Sequence, residues 1–188
     1  RDAREVSLAH IPPAAREALP VLVIGAGMSG ILAGIRLQEE GIPYVIIEKN
    51  AGVGGTWYEN TYPGCRVDVG NHFYCYSFEP NPDWQEFFSR QPELQRYFAS
   101  TARKYGVEAR IRFNTEVQAA DFDEASGEWR VRVRAKDGAV ETLRARVLIS
   151  GVGQLNRPKL PDIDGLDRFR GPAFHSACWD HSVSLEGK

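Results

Sequence analysis

The sequence predicts an α/β fold, a three-layer arrangement around a parallel sheet, and three observations carry that reading. Val21-Leu22-Val23-Ile24 and Tyr44-Val45-Ile46-Ile47 are short β-branched runs, the pattern of strands buried on both faces of a parallel sheet. Gly25-Ala26-Gly27-Met28-Ser29-Gly30 lies directly after the first run and opens a segment in which Ile31, Leu32, Ile35 and Leu37 recur at helical spacing. Further on, alternating segments are inserted before one more buried run, the signature of a β-meander.

Taken in order, residues 1 to 20 read as a polar N-terminal extension, with Pro12-Pro13 breaking any helix. The first strand, a helix ended by Gly41, and the second strand closed by Glu48 then form one βαβ unit with a right-handed crossover. Residues 50 to 89 are aromatic and glycine-rich with weak strand and helix signals, and a long irregular segment inside a domain is usually functional. Pro92 opens a helix carrying Leu94, Tyr97, Phe98 and Thr101, and Gly106 stops it. Ile111 to Phe122 reads as a single strand. Trp129 to Val133 and Val140 to Leu143 form a hairpin across an Asp137-Gly138 turn of type I′, and Val147-Leu148-Ile149 is a separate buried strand before Gly151-Val152-Gly153. The Pro- and Asp-rich stretch from Asn156 to Asp164 leads into a linker, so that residues 21–164 make the domain and 165–188 run towards a further domain.

Composition narrows the function. The chain has 188 residues, 43% hydrophobic and 26% charged, with a net charge of −2. That balance is globular, and it offers no basic stripe for nucleic acid or an anionic membrane. Its apolar runs fall far short of the ~20 residues of a membrane span. Three cysteines without C-x-x-C spacing, Cys65, Cys75 and Cys178, are expected to be free, mostly buried thiols in a reducing cytoplasm. The chain opens on Arg1 without a secretory signal and is expected to be a piece of a longer one.

The glycine loop names a ligand class. Gly25 permits the tight turn, Gly27 lets backbone approach a pyrophosphate, and Gly30 lets the helix pack on the sheet. A helix N-terminus at this point supplies unpaired N–H groups and partial positive charge to a diphosphate. Glu48 stands near the ~20-residue offset of a ribose-binding carboxylate, which accepts both hydroxyls and repels a 2′-phosphate. The Rossmann-like site therefore suits FAD or NAD and not NADP. The inserted meander and Gly54-Gly55-Thr56-Trp57, a glycine pair beside an aromatic plane, favour FAD.

Two longer motifs are then met. Gly54-Gly55-Thr56-Trp57-Tyr58-Glu59-Asn60-Thr61-Tyr62-Pro63-Gly64-Cys65-Arg66-Val67-Asp68 follows the pattern G-G-x-W, aromatic-Pro-Gly, Asp, and Phe169 to Asp180 fits F-x-G-x-x-x-H-x-x-x-W-[PD] at every fixed position. With these, the chain from Val21 to Lys188 resembles the FAD-dependent class B monooxygenases and, within them, the Baeyer–Villiger monooxygenases. The resemblance implies a three-layer FAD-binding domain and an NADPH-dependent enzyme that turns ketones and molecular oxygen into esters or lactones through a flavin peroxide. It implies that Ser29 and Glu48 touch the FAD diphosphate and ribose, and that Gly54, Gly55, Thr56 and Trp57 lie along the flavin. Arg66, Val67 and Asp68 would meet the nicotinamide cofactor, with Asp68 beside the flavin helping to position a catalytic Arg outside the chain. Tyr74 would contact the flavin region, the backbone at Val117 the adenine, and Gln154 the diphosphate. His175 and Trp179 would sit on the interdomain linker. A second G-x-G-x-x-G, for NADPH, is expected beyond Lys188. Gly151-Val152-Gly153 departs from the family's usual Ala-Thr-Gly and loses a hydroxyl.

Plainer readings stand beside these. Trp57 could be core and Asp68 a turn residue. His72 reads as a packed histidine, and Arg130, Arg132 and Arg134 as a solvated face. His175, Cys178 and His181 are spaced like metal ligands, but zinc wants four and no further cluster is near, so no metal site is expected. Rival functions are N- or S-oxidation by a flavin monooxygenase, which the Trp179 motif disfavours, and an FAD-holding module without chemistry.

Overall fold

The computed structural model describes residues 19–187, so the reading of residues 1–18 as an extension lies outside the described residues. Strand β1 spans Leu19–Ile24, two residues earlier than the expected domain start. It is followed by helix α1 (Met28–Glu39), strand β2 (Tyr44–Ile47), a one-turn helix α2 (Thr56–Glu59) and helix α3 (Gln91–Lys104). Strands β3 (Ile111–Arg112), β4 (Thr115–Asp123), β5 (Glu128–Ala135) and β6 (Val140–Ser150) complete one six-stranded sheet in the order β3-β2-β1-β6-β5-β4.

The first half is parallel. β1 pairs with β2 on one side and with β6 on the other, so the glycine loop leaves the centre of the sheet. Period-two alternation then divides β1 and β2 between two cores. Val21, Val23, Tyr44 and Ile46 face α1 and α3, where Ile31, Ile35, Leu94 and Phe98 cover them. Leu22, Val45 and Ile47 face the other way and meet Val131, Val133 and Ala145 of the meander, which curls across the back as the third layer. α1 ends as its sequence requires. Gly41, at φ +67°, donates to Gln38 O and Ile42 donates to Leu37 O, the paired bonds of a Schellman ending. α3 begins with Pro92 in its first turn and buries Leu94, Tyr97, Phe98, Thr101 and Ala102 on one face.

Three expected elements differ. Ile111–Phe122 is not one strand. Ile111 and Arg112 pair in parallel with β2, whereas residues from Thr115 pair antiparallel with β5. The change of partner requires a bend, and Asn114 makes it at φ +53°, a conformation Asn tolerates better than most residues. The β5–β6 turn is not type I′, because only Gly138 has positive φ (+90°). Gly138 N–H donates to Ala135 O, a three-residue loop with its glycine in the left-handed position, and Asp137 accepts from Ala139 N at 3.0 Å. Finally, Val140–Leu143 and Val147–Ile149 are not separate strands. β6 runs straight through both, antiparallel to β5 at first and parallel to β1 after Ala145, which is paired on both sides. Val147 is exposed rather than buried, since it points to the helical face at a place that α1 and α3 do not reach.

The thiols depart from expectation as well. Cys65 is buried, Cys75 half-buried and Cys178 exposed. Burial pushes the Cys65 thiol up, with the Tyr62 hydrogen bond partly opposing, so it is a poor nucleophile at neutral pH. His72 is exposed and merely tilts against Phe87, with ring centres 5.5 Å apart. Among the described residues no helix is long and apolar enough to cross a membrane.

Candidate dinucleotide site

The site begins where three backbone segments come too close for side chains. A Cβ placed on Gly30 would lie 1.8 Å from Gly25 O, and one on Gly25 would lie 2.7 Å from Gly151 O. Helix α1, the turn after β1 and the end of β6 thus meet through glycine backbone, and Gly151 N–H closes the contact by donating to Ile24 O. A Cβ on Gly27 would face the second glycine turn, 3.5 Å from the Gly55 Cα. Gly27 is the N-cap of α1, and Ile31 N–H, bonded to Gly27 O, is the first amide taken up inside the helix. The amides of Met28, Ser29 and Gly30 precede it, there is no acid in the first turn, and Ser29 is exposed. That is an anion-accepting helix end on a twelve-residue helix.

A second glycine turn backs onto the first. Gly54 N–H donates to Ala26 O at 2.9 Å, and a Cβ on Gly55 would stand 3.0 Å from the Gly27 Cα. Gly54 and Gly55 both have positive φ, +122° and +54°. Gly54 and Gly55 thus shape the far wall of the loop. Thr56 is exposed beside them at the start of α2. Trp57 turns inward and is buried in the core, where its Nε1–H donates to the Tyr74 hydroxyl at 3.0 Å and the two rings meet edge to face. Its part is support, and Tyr74 is the half-buried partner it holds.

Glu48 is almost wholly buried. One carboxylate oxygen accepts from Ala26 N at 2.7 Å and the other from Asn50 N at 2.8 Å. It therefore fixes the glycine loop as well as ending β2, and each oxygen keeps lone-pair capacity for a further donor. Lys49 next to it bonds Glu59 and Asn156, bringing the segment after β6 alongside. Gln154 is exposed on that segment, just past Gly153. Val117 lies on β4 opposite Val133, at a bulge that leaves Gln118 without a ladder partner.

Arg66, Val67 and Asp68 behave differently from one another. Arg66 pairs with Glu86 at 3.2 Å and Val67 is buried, while Asp68 is exposed. The structure also brings in residues with no sequence signal of their own. Gln91 on α3 donates through Nε2 to Trp57 O, and Gln95 donates to Val53 O at 2.8 Å, so one helix holds the second glycine turn from below. Tyr76 donates to Met28 O at 2.6 Å and ties the aromatic segment to the start of α1. Asn71 and Ser89 are buried and bonded to each other. Each bond spans 18 residues or more, and no local pattern could announce it.

In the linker, His175 Nδ1 accepts from Ala177 N at 3.0 Å and Phe174 meets Trp179 edge to face. His181 Nε2 lies 2.8 Å from Thr61 Oγ1, docking this segment on the loop that follows α2. Cavities of about 660 and 450 Å³ flank residues 79–87, away from the glycine loop, and none of the expected cofactor residues lines either.

Comparison with known proteins agrees with this geometry. Residues 23–91 match the family profile of an NAD(P)-binding Rossmann-like domain, and residues 78–184 match that of L-lysine 6-monooxygenase/L-ornithine 5-monooxygenase. The second profile spans more than half of the chain, which belongs to that monooxygenase family, and the curated relatives it resembles include Baeyer–Villiger monooxygenases. A Baeyer–Villiger monooxygenase of Pseudomonas aeruginosa is 42% identical over 94% of this chain and 33% of its own length. OTEMO, solved in complex with FAD and NADP, superposes with a TM-score of 0.78 at 38% identity over 91% of this chain and 32% of its own. Cyclohexanone monooxygenase from Rhodococcus sp. Phi1, bound to NADP+, gives 0.80 at 36%, again over 91% and 32%. The chain thus spans about a third of the length of these proteins.

Proposed function

We propose that this chain is the FAD-binding part of an NADPH-dependent monooxygenase that inserts one atom of molecular oxygen beside the carbonyl of a ketone, giving an ester or lactone. The second oxygen atom leaves as water and NADPH supplies the two electrons. The observation that carries the reading is the paired glycine turns: a cradle that a Cβ would fill, set at an open helix N-terminus and closed by a buried acid. FAD fits that donor set. The Met28, Ser29 and Gly30 amides would take the diphosphate, Glu48 the ribose, Val117 backbone the adenine, and Gly54 to Thr56, Tyr74 and Gln154 would edge the rest. Bound FAD would supply the oxygen and hydride chemistry, while the protein orients the reactants and excludes water.

The resemblance gives the exposed Asp68 carboxylate the part of meeting the nicotinamide and a catalytic Arg outside the chain. The domain boundaries at residues 20 and 164, the linker role of Phe169 to Asp180 and a cytoplasmic location belong to the same reading. The lysine and ornithine monooxygenase match favours a second one, N-oxidation. The full-length protein, given NADPH, oxygen and panels of ketones and primary amines, separates the two. Esters one oxygen heavier than the ketone support the first reading, and hydroxylamines with unchanged ketones support the second. Uncoupled NADPH consumption without either product defeats both. A companion test uses residues 1–188 alone, which are expected to hold FAD without its being bleached by NADPH under anaerobic conditions.

A further inference from the structure

Among the described residues the Asp68 side chain has no hydrogen-bond partner, and it is exposed, yet the backbone on either side of it is firmly held. Before it, Val67 is buried and its N–H donates to Ser89 O at 3.0 Å, while Cys65 O accepts from Gln91 N at 2.9 Å. After it, Asn71 N–H donates to Phe87 O at 3.0 Å. The Asn71 side chain completes the strap. Its Nδ2 donates to Ser89 Oγ and to Glu86 O, both at 2.6 Å, and its Oδ1 accepts from Ser89 N at 3.1 Å. Asn71 and Ser89 are 1% and 0% exposed, so this is a satisfied polar cluster inside the protein, where an amide without partners would be costly. Glu86 adds ion pairs to Arg66 and Arg90 at the outer edge. α3 starts at Gln91, directly after this strap, and the same helix holds the second glycine turn through Gln91 and Gln95. Asn71 thereby refers the position of Asp68 to the helix that also sets the cofactor cradle.

We propose that Asn71 is a positioning residue for the Asp68 carboxylate, acting with Ser89 as its buried partner. The assignment rests on the proposed role of Asp68 in handling the nicotinamide. A carboxylate without a side-chain bond among the described residues takes its orientation from its flanks, and a group misplaced by about 1 Å can cost on the order of a hundredfold in rate.

The test uses the full-length holoenzyme, with Asn71→Ala and Ser89→Ala each made alone and in an Asp68→Ala background. The readouts are FAD content and the anaerobic rate of flavin bleaching by NADPH. Asn71→Ala is expected to slow reduction on the order of tenfold to a hundredfold at unchanged FAD content. Ser89→Ala moves the rate the same way by less, and neither adds a further loss once Asp68 is Ala. A parent-like rate in Asn71→Ala, or a loss that multiplies in full on that of Asp68→Ala, overturns the proposal. If Asp68→Ala itself reduces at the parent rate, the reading of Asp68 fails and the assignment falls with it. If Asp68→Ala is slow and Asn71→Ala is not, the strap alone fails. Should Asn71→Ala not fold, Ser89→Ala removes a single hydroxyl and is judged by the same two criteria.

Discussion

The β1–α1–β2 unit and the segment from Asn50 to Arg90 wall the same cradle but are built on opposite principles. The first is made by backbone. Gly25, Gly30 and Gly151 touch where no Cβ fits, and the strands beside them are β-branched and buried on both faces. The second has almost no regular structure beyond the one turn of α2 and two isolated bridges. It is stitched by side chains bonding to distant backbone: Gln91 to Trp57, Gln95 to Val53, Tyr76 to Met28, and Asn71 to Glu86 and Ser89. The contrast teaches where tolerance lies. A backbone contact admits no extra atom, whereas a set of separate stitches shares its load.

Gly30→Val tests the backbone-built half most severely. Its Cβ would fall 1.8 Å from a backbone oxygen that cannot swing away, so a loss of more than about 3 kcal/mol is expected. Thermal unfolding of the purified variant, or its failure to accumulate in soluble form, checks it. A parent-like Tm would mean that the α1–β1 contact is softer than its geometry.

Glu48 comes next, because it is a side chain working for the backbone-built half. Glu48→Ala strands the Ala26 and Asn50 amides, at a cost of about 2–3 kcal/mol. Both denaturant stability and FAD retention should fall together. Retained FAD with unaltered stability would remove Glu48 from the cradle. A carboxylate read from sequence as a ribose ligand thus also carries the loop, and its removal is expected to destabilise the fold as well.

In the stitched half a single replacement should cost much less. Gln95→Leu gives up the bond to Val53 O but also removes the buried Oε1, which has no partner among the described residues. The two effects oppose, and the change in unfolding free energy should stay within about 1 kcal/mol. A larger loss would show that α3 holds the second glycine turn mainly through this one amide.

The smallest effect concerns pH. Glu79 accepts from Lys104 Nζ and from the Tyr105 hydroxyl, and the Lys104 bond, as the larger cause, holds its carboxyl below the ordinary value of 4.5. A lowered folded-state value means that stability from this pair is fully present above the unfolded carboxyl's pKa. It is lost as pH falls through the lower, folded value. Lys104→Met should therefore lower Tm slightly at neutral pH and leave a smaller difference from the parent below about pH 4. A gap that widened in acid would reverse the sign of the argument.

Reasons local to the chain suffice for the parallel βαβ unit, the glycine cradle, the ends of α1 at Gly41 and α3 near Gly106, and the resemblance that the two long motifs carry. These are local matters. A glycine that must be glycine, a proline in a first turn and a β-branched run each act within a few residues, so their reasons are written next to them. Packing between distant segments settles that β6 runs through two apparent strands, that Asn114 bends the chain between two partners, that Trp57 faces the core, and that Asn71 and Ser89 close a strap around Asp68. Those outcomes depend on which distant segment arrives beside each residue. A hydrogen bond from Asn71 to Ser89 or from Tyr76 to Met28 leaves no periodicity in the chain, since its two ends are brought together by the packing of the elements between them.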